Sequence, residues 1–333
     1  MEKYDVAVCG GGPAGFIAAI AAARNGAKTI LIEHYGFLGG MATLSFVSPI
    51  TTFIKNGERI IAGIPLEFVR KMEKLGGADT SFPSGRVPFD PEIYKLTAQR
   101  MTLNSGVSLL LHSYITGCEI ENSKLTAIIV ENKSGQQRIE ARYFIDCTGD
   151  ADVVKLAGLP YRIQEDNSGL QPMTLWFRMG GVNTDKLENM EMRYENVRSV
   201  NTRIRDILTA LNSDEMVPKF GGPWMLTTLR KGEATVNMSR YAGDGTDALS
   251  LTGAECTLRE DVFKLVSLLK KHLPEFENSY ILDTGTQVGV RETRRIDGLY
   301  EMTVDDILKS KDFPDTVAKG GHPIDIHKAD SRM

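Results

Sequence analysis

Apolar positions dominate residues 4–9 and give way to Gly10-Gly11-Gly12, the pattern of a buried strand running into a tight turn. Residues 13–25 are alanine-rich and are closed by Gly26, which predicts a helix. Residues 29–33 are apolar up to a terminal glutamate and predict a second strand. Strand, glycine turn, helix and strand form a βαβ unit, so the beginning of the chain belongs in a mostly parallel sheet.

A glycine-punctuated loop, YGFLGGMATLS, follows, then an amphipathic helix over 64–75. Asp90-Pro91 is an N-cap followed by a proline suited to the first helical position, which places the next helix over 92–104. Residues 107–112 read as a buried strand. Three alternating segments, 114–121, 124–132 and 136–143, are separated by Asn122-Ser123 and Lys133-Ser134-Gly135 and predict an antiparallel meander. A further short apolar strand, 144–147, leads into Thr148-Gly149-Asp150. Beyond residue 159 the character changes: 173–179, 224–229 and 233–240 alternate as sheet strands. Within 252–273, Leu258, Val262, Leu265, Val266 and Leu269 have the spacing of a helix face.

The expected fold class is therefore α/β: a Rossmann-like domain with a parallel sheet and an antiparallel meander, plus an inserted α+β domain, with the cofactor to be read from the motifs below. The expected divisions are 1–158, with a helical excursion at about 50–105, then 159–286, then 287–333, which the family resemblance given below makes an incomplete return toward the first domain. A length of 333 residues suits two domains, since single cores stop growing near ~250–300 residues.

Charge changes the picture by exclusion. A net charge of -4 provides no basic field for a phosphate backbone, so nucleic acid is not an expected partner. No stretch is long and apolar enough for a membrane span, and the first residues lack a secretory signal, so the expected location is the cytoplasm, with no membrane partner. Cys9, Cys118, Cys147 and Cys256 have neither CxxC spacing nor a histidine cluster, so they predict no metal site and no disulfide framework. No Ser-His-Asp arrangement, HExxH helix or P-loop lysine appears, and the absence of a cysteine pair argues against a disulfide reductase.

Gly10-Gly11-Gly12-Pro13-Ala14-Gly15 fits GxGxxG. Gly10 makes the turn, Gly12 lets a pyrophosphate approach the backbone, and Gly15 lets helix and strand pack closely. The helix N-terminus, with Pro13 and Ala14, offers free N–H groups to the anion. Glu33 stands at the end of the second strand, where an acid binds the adenosine ribose hydroxyls and disfavours NADP. These features predict a dinucleotide site but leave FAD and NAD open.

The segments GGGPAG, EHYGFLGGMAT, FIDCTGDADVVKLAG, QPMTLWFRMGGV, QVGVRETRRIDGLY and GGHPIDIH resemble the FAD-dependent oxidoreductases with a glutathione-reductase-like Rossmann fold, distantly related to fumarate reductase flavoproteins. The resemblance implies FAD as cofactor. It implies that Gly39, Gly40, Met41, Ala42 and Thr43 pass beside the flavin, and that Thr148, Gly149 and Asp150 form a second turn over the cofactor. Family members continue beyond the GGHPIDIH-like segment with a strand and glycine turn that touch the cofactor. The resemblance therefore also raises the expectation of a truncated or split chain, closed by homodimerisation or by a complementing chain.

For chemistry, Arg291 to Arg295 read as a strand would put Arg291, Thr293 and Arg295 on one face and Glu292 and Arg294 on the other. Arg291 or Arg294 then clamps a substrate carboxylate or stabilises a reduced flavin, or these charges merely tie an exposed strand to acidic neighbours. His327 is the candidate base, with Asp325 on the same extended face, and His322 is a second histidine nearby. The expected reaction is hydride transfer from a small, anionic organic molecule to flavin N5. A catalytically incomplete FAD- or nucleotide-binding module, and an NAD enzyme built on the same βαβ unit, are the alternatives. The sequence names neither the substrate nor the electron acceptor.

Overall fold

The computed structural model describes residues 3–55, 57–81, 85–163, 169–191, 194–211 and 216–327. Strand β1 (Lys3–Cys9), helix α1 (Pro13–Arg24) and strand β2 (Thr29–Ile32) form the expected unit, with β1 and β2 parallel. The short helix α2 (Met41–Leu44) follows, then α3 (Gly63–Lys74) and α4 (Pro91–Asn104), then β3 (Ser108–Leu110), which adds in parallel to β2. The meander is β4 (Tyr114–Glu121), β5 (Lys124–Asn132) and β6 (Gly135–Asp146). The resulting six-stranded sheet has the order β3-β2-β1-β6-β5-β4.

The structure corrects one expectation here. Residues 136–143 and 144–147 are not two strands, because β6 runs unbroken to Asp146. Its first half pairs antiparallel with β5 through Gln136 to Glu140, and its second half pairs parallel with β1 through Glu140 to Asp146. One strand thus joins the meander to the parallel sheet.

Period-two alternation sorts the strand residues onto two faces. Val8 and Leu31 pack with Phe16, Ala19 and Ile20 of α1, Val69 and Met72 of α3, and Ala98 and Met101 of α4. Ala7, Cys9, Ile30 and Ile32 point the other way, into a core shared with Ile128, Val130 and Ile139 of the meander and Val153 of helix α5 (Asp152–Leu156).

The second sheet is antiparallel, built from β7 (Phe177–Gly180), β8 (Phe220–Thr227), β9 (Ala234–Ser239) and β10 (Tyr280–Thr284) in the order β8-β9-β7-β10. Helices α6 (Thr184–Glu191), α7 (Tyr194–Leu211) and α8 (Ala248–His272) accompany it. In α8 the residues Ala254, Leu258, Val262, Leu265 and Leu269 make one buried stripe against Leu175, Phe177, Val236 and Met238. Among the described residues from 287 onward, regular structure is confined to Arg295–Ile296, paired with Tyr161–Arg162, and to the helix Val304–Leu308. Arg291 to Arg294 are irregular, which overturns the two-faced strand expected there.

Asp90 ties the two halves of the fold. Its Oδ1 accepts from the backbone N–H of Glu92 (2.8 Å) and Ile93 (3.1 Å) at the start of α4, and its Oδ2 accepts from Arg230 Nη2 at 2.7 Å. Asp90→Ala is expected to cost about 1–2 kcal/mol through loss of the cap, read from urea unfolding. Asp90→Asn, which keeps a capping oxygen, should cost clearly less; equal losses would show that the cap is not what Asp90 supplies.

Candidate functional site

The glycine turn after β1 is shaped by contacts that no side chain tolerates. Gly10 has φ +102, and a Cβ there would lie 2.3 Å from the Cys147 carbonyl oxygen. A Cβ on Gly15 would lie 1.8 Å from the Gly10 carbonyl oxygen. The ends of β1 and β6 and the start of α1 are therefore pressed together. Helix α1 has Pro13 at its first turn, no side-chain cap and no acidic residue in that turn, so its free N–H groups face an unobstructed space.

That space is a cavity of about 540 Å³. Gly10, Gly12, Pro13 and Ala14 form its floor, with Gly40 and Met41 beside them. The loop carrying Gly40 lies directly on the turn: Gly39 N–H donates to the Gly11 carbonyl (2.9 Å), and a Cβ on Gly40 would come within 2.9 Å of the Gly12 Cα. Gly39 itself is packed against Thr43 and Tyr94. Thr43 is fully buried and donates to the Leu38 carbonyl at 3.0 Å, while Ala42 lines a separate apolar cavity beside Phe16 and Phe68. Gly15, Gly39, Ala42 and Thr43 thus stand behind or beside the wall, and Gly40 and Met41 stand on it.

Glu33, 5% exposed, lies on the cavity wall just past β2. Its Oε2 accepts from Gly11 N–H (2.7 Å) and its Oε1 from Tyr35 N–H (2.9 Å), with His34 Nδ1 at 3.1 Å. Burial pushes this carboxyl upward, but the hydrogen bonds from His34, Tyr35 and Gly11 outweigh it and hold the group below the usual glutamate range. A carboxylate has about four acceptor positions, so capacity is left for hydroxyl donors. His34, Tyr35 and Tyr114 add an aromatic wall; the His34 and Tyr35 rings have centroids 3.9 Å apart.

The opposite wall is the turn after β6. Asp146 Oδ1 accepts from the Thr148 N–H (3.0 Å) and hydroxyl (2.7 Å), and Gly149 has φ +89. Thr148, Gly149 and Asp150 all line the cavity. So does Arg294, whose Nη1 donates to the Asp150 carbonyl and to Asp152 Oδ1, each at 2.7 Å. Asp150 Oδ1 accepts from the Thr293 hydroxyl at 2.8 Å, and burial in this turn raises its carboxyl.

Val290 also lines the cavity, and Arg291, the next residue, is directed elsewhere. Its Nη1 donates to the Pro172 carbonyl and to Thr174 Oγ1 (2.7 Å), and its Nη2 approaches Asn237 Oδ1 at 3.4 Å. Burial, and then the like charge of Arg240, lower the Arg291 pKa to about 9 against the pull of Asp325. His327 joins this group: its N–H donates to Gln171 Oε1 (3.0 Å) and its Nε2 is 3.4 Å from Asp325 Oδ2. His322 is exposed and its Nδ1 lies 2.8 Å from the neighbouring Pro323 carbonyl.

The sequence pattern of the family described as FAD dependent oxidoreductase matches residues 5–332. The chain belongs to the FAD-dependent oxidoreductases. FAD is the cofactor of this family, and the cradle fits it: the glycine turn, the uncapped helix and the buried acid of Glu33 suit a pyrophosphate and a ribose, and the second turn extends the cavity beyond them.

The chain is 26% identical over 200 residues to the digeranylgeranylglycerophospholipid reductase of Thermoplasma volcanium, covering 56% of this chain and 49% of that one. It is 29% identical over 166 residues to the thiamine thiazole synthase of Methanococcus vannielii, covering 46% and 59%. The chain spans about half the length of the curated relatives it matches. Its fold is similar to that of a myxobacterial chondrochloren halogenase, described as a variant of FAD-dependent halogenases, with a TM-score of 0.58 and 12% identity over 90% of this chain and 67% of that one.

Among the described residues no helix is long and apolar enough to cross a membrane, and no cluster of histidine, cysteine and carboxylates is arranged to hold a metal ion. Sequence reading passed over Tyr35, Tyr114, Gly245, Thr246 and Gln287 on the cavity wall, and Arg240 beside Arg291. Tyr35 and Gln287 lie within quoted segments that do not single them out, the others belong to no short motif, and only the fold brings them to one place.

Gly10→Ala is expected to yield protein without bound flavin and with a lowered midpoint of thermal unfolding, measured by released FAD and calorimetry. Full FAD content in that variant would mean the turn is not the cradle. Because the folded-state pKa of Glu33 is depressed, its stabilisation is complete above the usual glutamate range and is lost as pH falls through the lowered value. Glu33→Gln should therefore weaken the flavin-free protein at neutral pH and flatten its acid destabilisation; an unchanged pH curve would show that Glu33 is not linked to folding.

Proposed function

We propose that this protein is an oxidoreductase that oxidises a small anionic organic molecule, and that residues around the second sheet hold the substrate. The observation that supports this most directly is the chain path at 290–291: Val290 lines the cofactor cavity, and Arg291 carries a partly buried guanidinium to the side where Arg240 and His327 lie. FAD held in the cradle supplies a two-electron acceptor for the hydride that leaves the substrate.

Arg291 is held by the Pro172 carbonyl, Thr174 and Asn237, so its charge is fixed in direction and needs no reorganisation to meet an anion. His327 takes the proton that leaves the substrate as the hydride departs. Burial lowers its pKa below the ordinary histidine value, the positive charges of Arg240 and Arg291 lower it further, and Asp325 opposes them. The imidazole is therefore neutral at pH 7 and able to accept a proton. Arg294 is tied to Asp150 and Asp152 on the cavity wall, which favours a role in shaping the cofactor site over one in clamping substrate.

A second reading is favoured by one feature: Leu299, Leu308, Val317 and Ile326 are exposed at 111%, 71%, 100% and 68%. Apolar exposure on this scale suits a face covered by a second copy or a complementing chain. On that reading the chain is an FAD-binding module whose activity needs the covering partner.

Anaerobic bleaching of the bound flavin by candidate organic acids tests the first reading. Arg291→Lys is expected to keep FAD and to lower the reduction rate by about 100-fold or more, since a point charge replaces a planar fork. His327→Gln is expected to lower it by about 10²–10⁴-fold and to remove a rise in rate with pH whose apparent pKa lies below the ordinary histidine value. Reduction at the wild-type rate in both variants would overturn the assignment. Light scattering and sedimentation of the purified chain address the second reading, which a strictly monomeric, fully active protein would eliminate.

A further inference from the structure

Arg240 follows the last residue of β9 and is 9% exposed, yet its Nη1 has no hydrogen-bond partner among the described residues. The opposite strand leaves room for it: a Cβ on Gly221 would lie 2.1 Å from Arg240 Nε, so a side chain there would displace the guanidinium from its present place. A buried cation left unpaired is strongly destabilising, and buried arginines are normally matched by a carboxylate. The acid that acts on Arg240 is Asp325, which stands half-exposed beside His327 and makes no hydrogen bond to the orphaned Nη1.

Around this point lie Arg240, Arg291 and Asp325, with His327 neutral. Two positive charges against one negative leave a single uncompensated positive charge. A monoanion balances it, whereas a phosphate dianion overcompensates. The partners already fixed to Arg291, which are a carbonyl, a hydroxyl and a side-chain amide oxygen, are all neutral, so its charge is also unmatched. Planar donors of this kind suit the two oxygens of a carboxylate.

We infer that Arg240 and Arg291 together form the binding site for the carboxylate of an organic acid, with Gly221 making room for Arg240 and His327 beside the bound group. This inference rests on the oxidoreductase reading above and names its substrate class. Arg240 is a binding residue: it anchors the acid on the side of the second sheet, and Val290, the residue before Arg291, lines the cofactor cavity.

The test uses the full chain loaded with FAD and follows thermal unfolding and calorimetric binding at about pH 8, where inorganic phosphate is mainly the dianion, with sodium acetate, sodium lactate, inorganic phosphate and the neutral ester methyl acetate. Acetate or lactate should raise the unfolding midpoint of the wild type, and methyl acetate and phosphate should not. Arg240→Met should raise the midpoint of the unliganded protein, because the unmatched buried cation is gone, and should abolish the carboxylate response. Arg240→Lys should retain part of that response, and Gly221→Ala, which leaves every charge in place but displaces the guanidinium, should weaken carboxylate binding by about tenfold or more. A wild type that responds to no carboxylate, or to phosphate alone, would overturn the inference, as would Arg240→Met with a lowered midpoint and an unchanged carboxylate response. Carboxylates that bind through Arg240 while no acid bleaches the flavin would leave this site standing and remove the redox reading. Bleaching by an acid at the same rate in the wild type and in Arg240→Lys, Arg240→Met and Gly221→Ala would do the reverse.

Discussion

The fold depends on backbone pressed against backbone where β1, α1 and β6 meet. Gly10 lies against the Cys147 carbonyl and Gly15 against the Gly10 carbonyl, at separations that exclude a Cβ. This closeness sets two turns, one after each of the adjacent strands β1 and β6, on opposite walls of one cavity. The free N–H groups of α1 and the carboxylate of Glu33 gain their meaning from that placement. A dinucleotide needs a concave space with donors at one point and an acceptor at another.

The second-sheet half completes the cavity through Gly245, Thr246 and Leu251 and through the stretch that carries Gln287, Val290 and Arg294. Thr286 N–H donates to the Leu44 carbonyl at 2.7 Å, and Ser45 Oγ donates to the Gln287 carbonyl at 2.7 Å. A few residues later Thr293 and Arg294 grip Asp150 and Asp152. Between these two anchorages the chain passes Val290, on the cofactor wall, and Arg291, on the side of the second sheet. The stretch from Val290 to Arg294 has no regular structure, and its side chains reach both neighbours.

Electrostatics divides the two sides. On the cofactor side, buried carboxylates are matched by hydrogen bonds from backbone, hydroxyl and guanidinium donors. On the other side, Arg240 is buried and Arg291 is partly buried; burial weakens the hold of each on its proton, and the charge of Arg240 weakens that of Arg291 further. A fold selected only for stability would replace such a pair with apolar side chains.

What the sequence determined was local. The βαβ unit, the Asp90 cap and the α8 stripe follow from the spacing of glycines, capping oxygens and apolar residues within one element, and each of those signals acts over a few residues. The resemblance carried by GGGPAG and its companion segments extended this to the cofactor. Tertiary structure decided the rest. β6 looked like two strands because its halves have different neighbours, β5 on one edge and β1 on the other, and sequence alternation reports exposure of a face without reporting which edge is paired. Arg291 to Arg294 carried the alternation of a strand, yet it is their side chains that anchor them, Arg291 to Thr174 and Thr293 and Arg294 to Asp150 and Asp152. Arg240 had no motif at all: its distance from Arg291 and His327 along the chain is large, and only the packing of the second sheet against the returning segment brings three cationic or titratable groups together, since charge acts through space and sequence pattern acts along the chain.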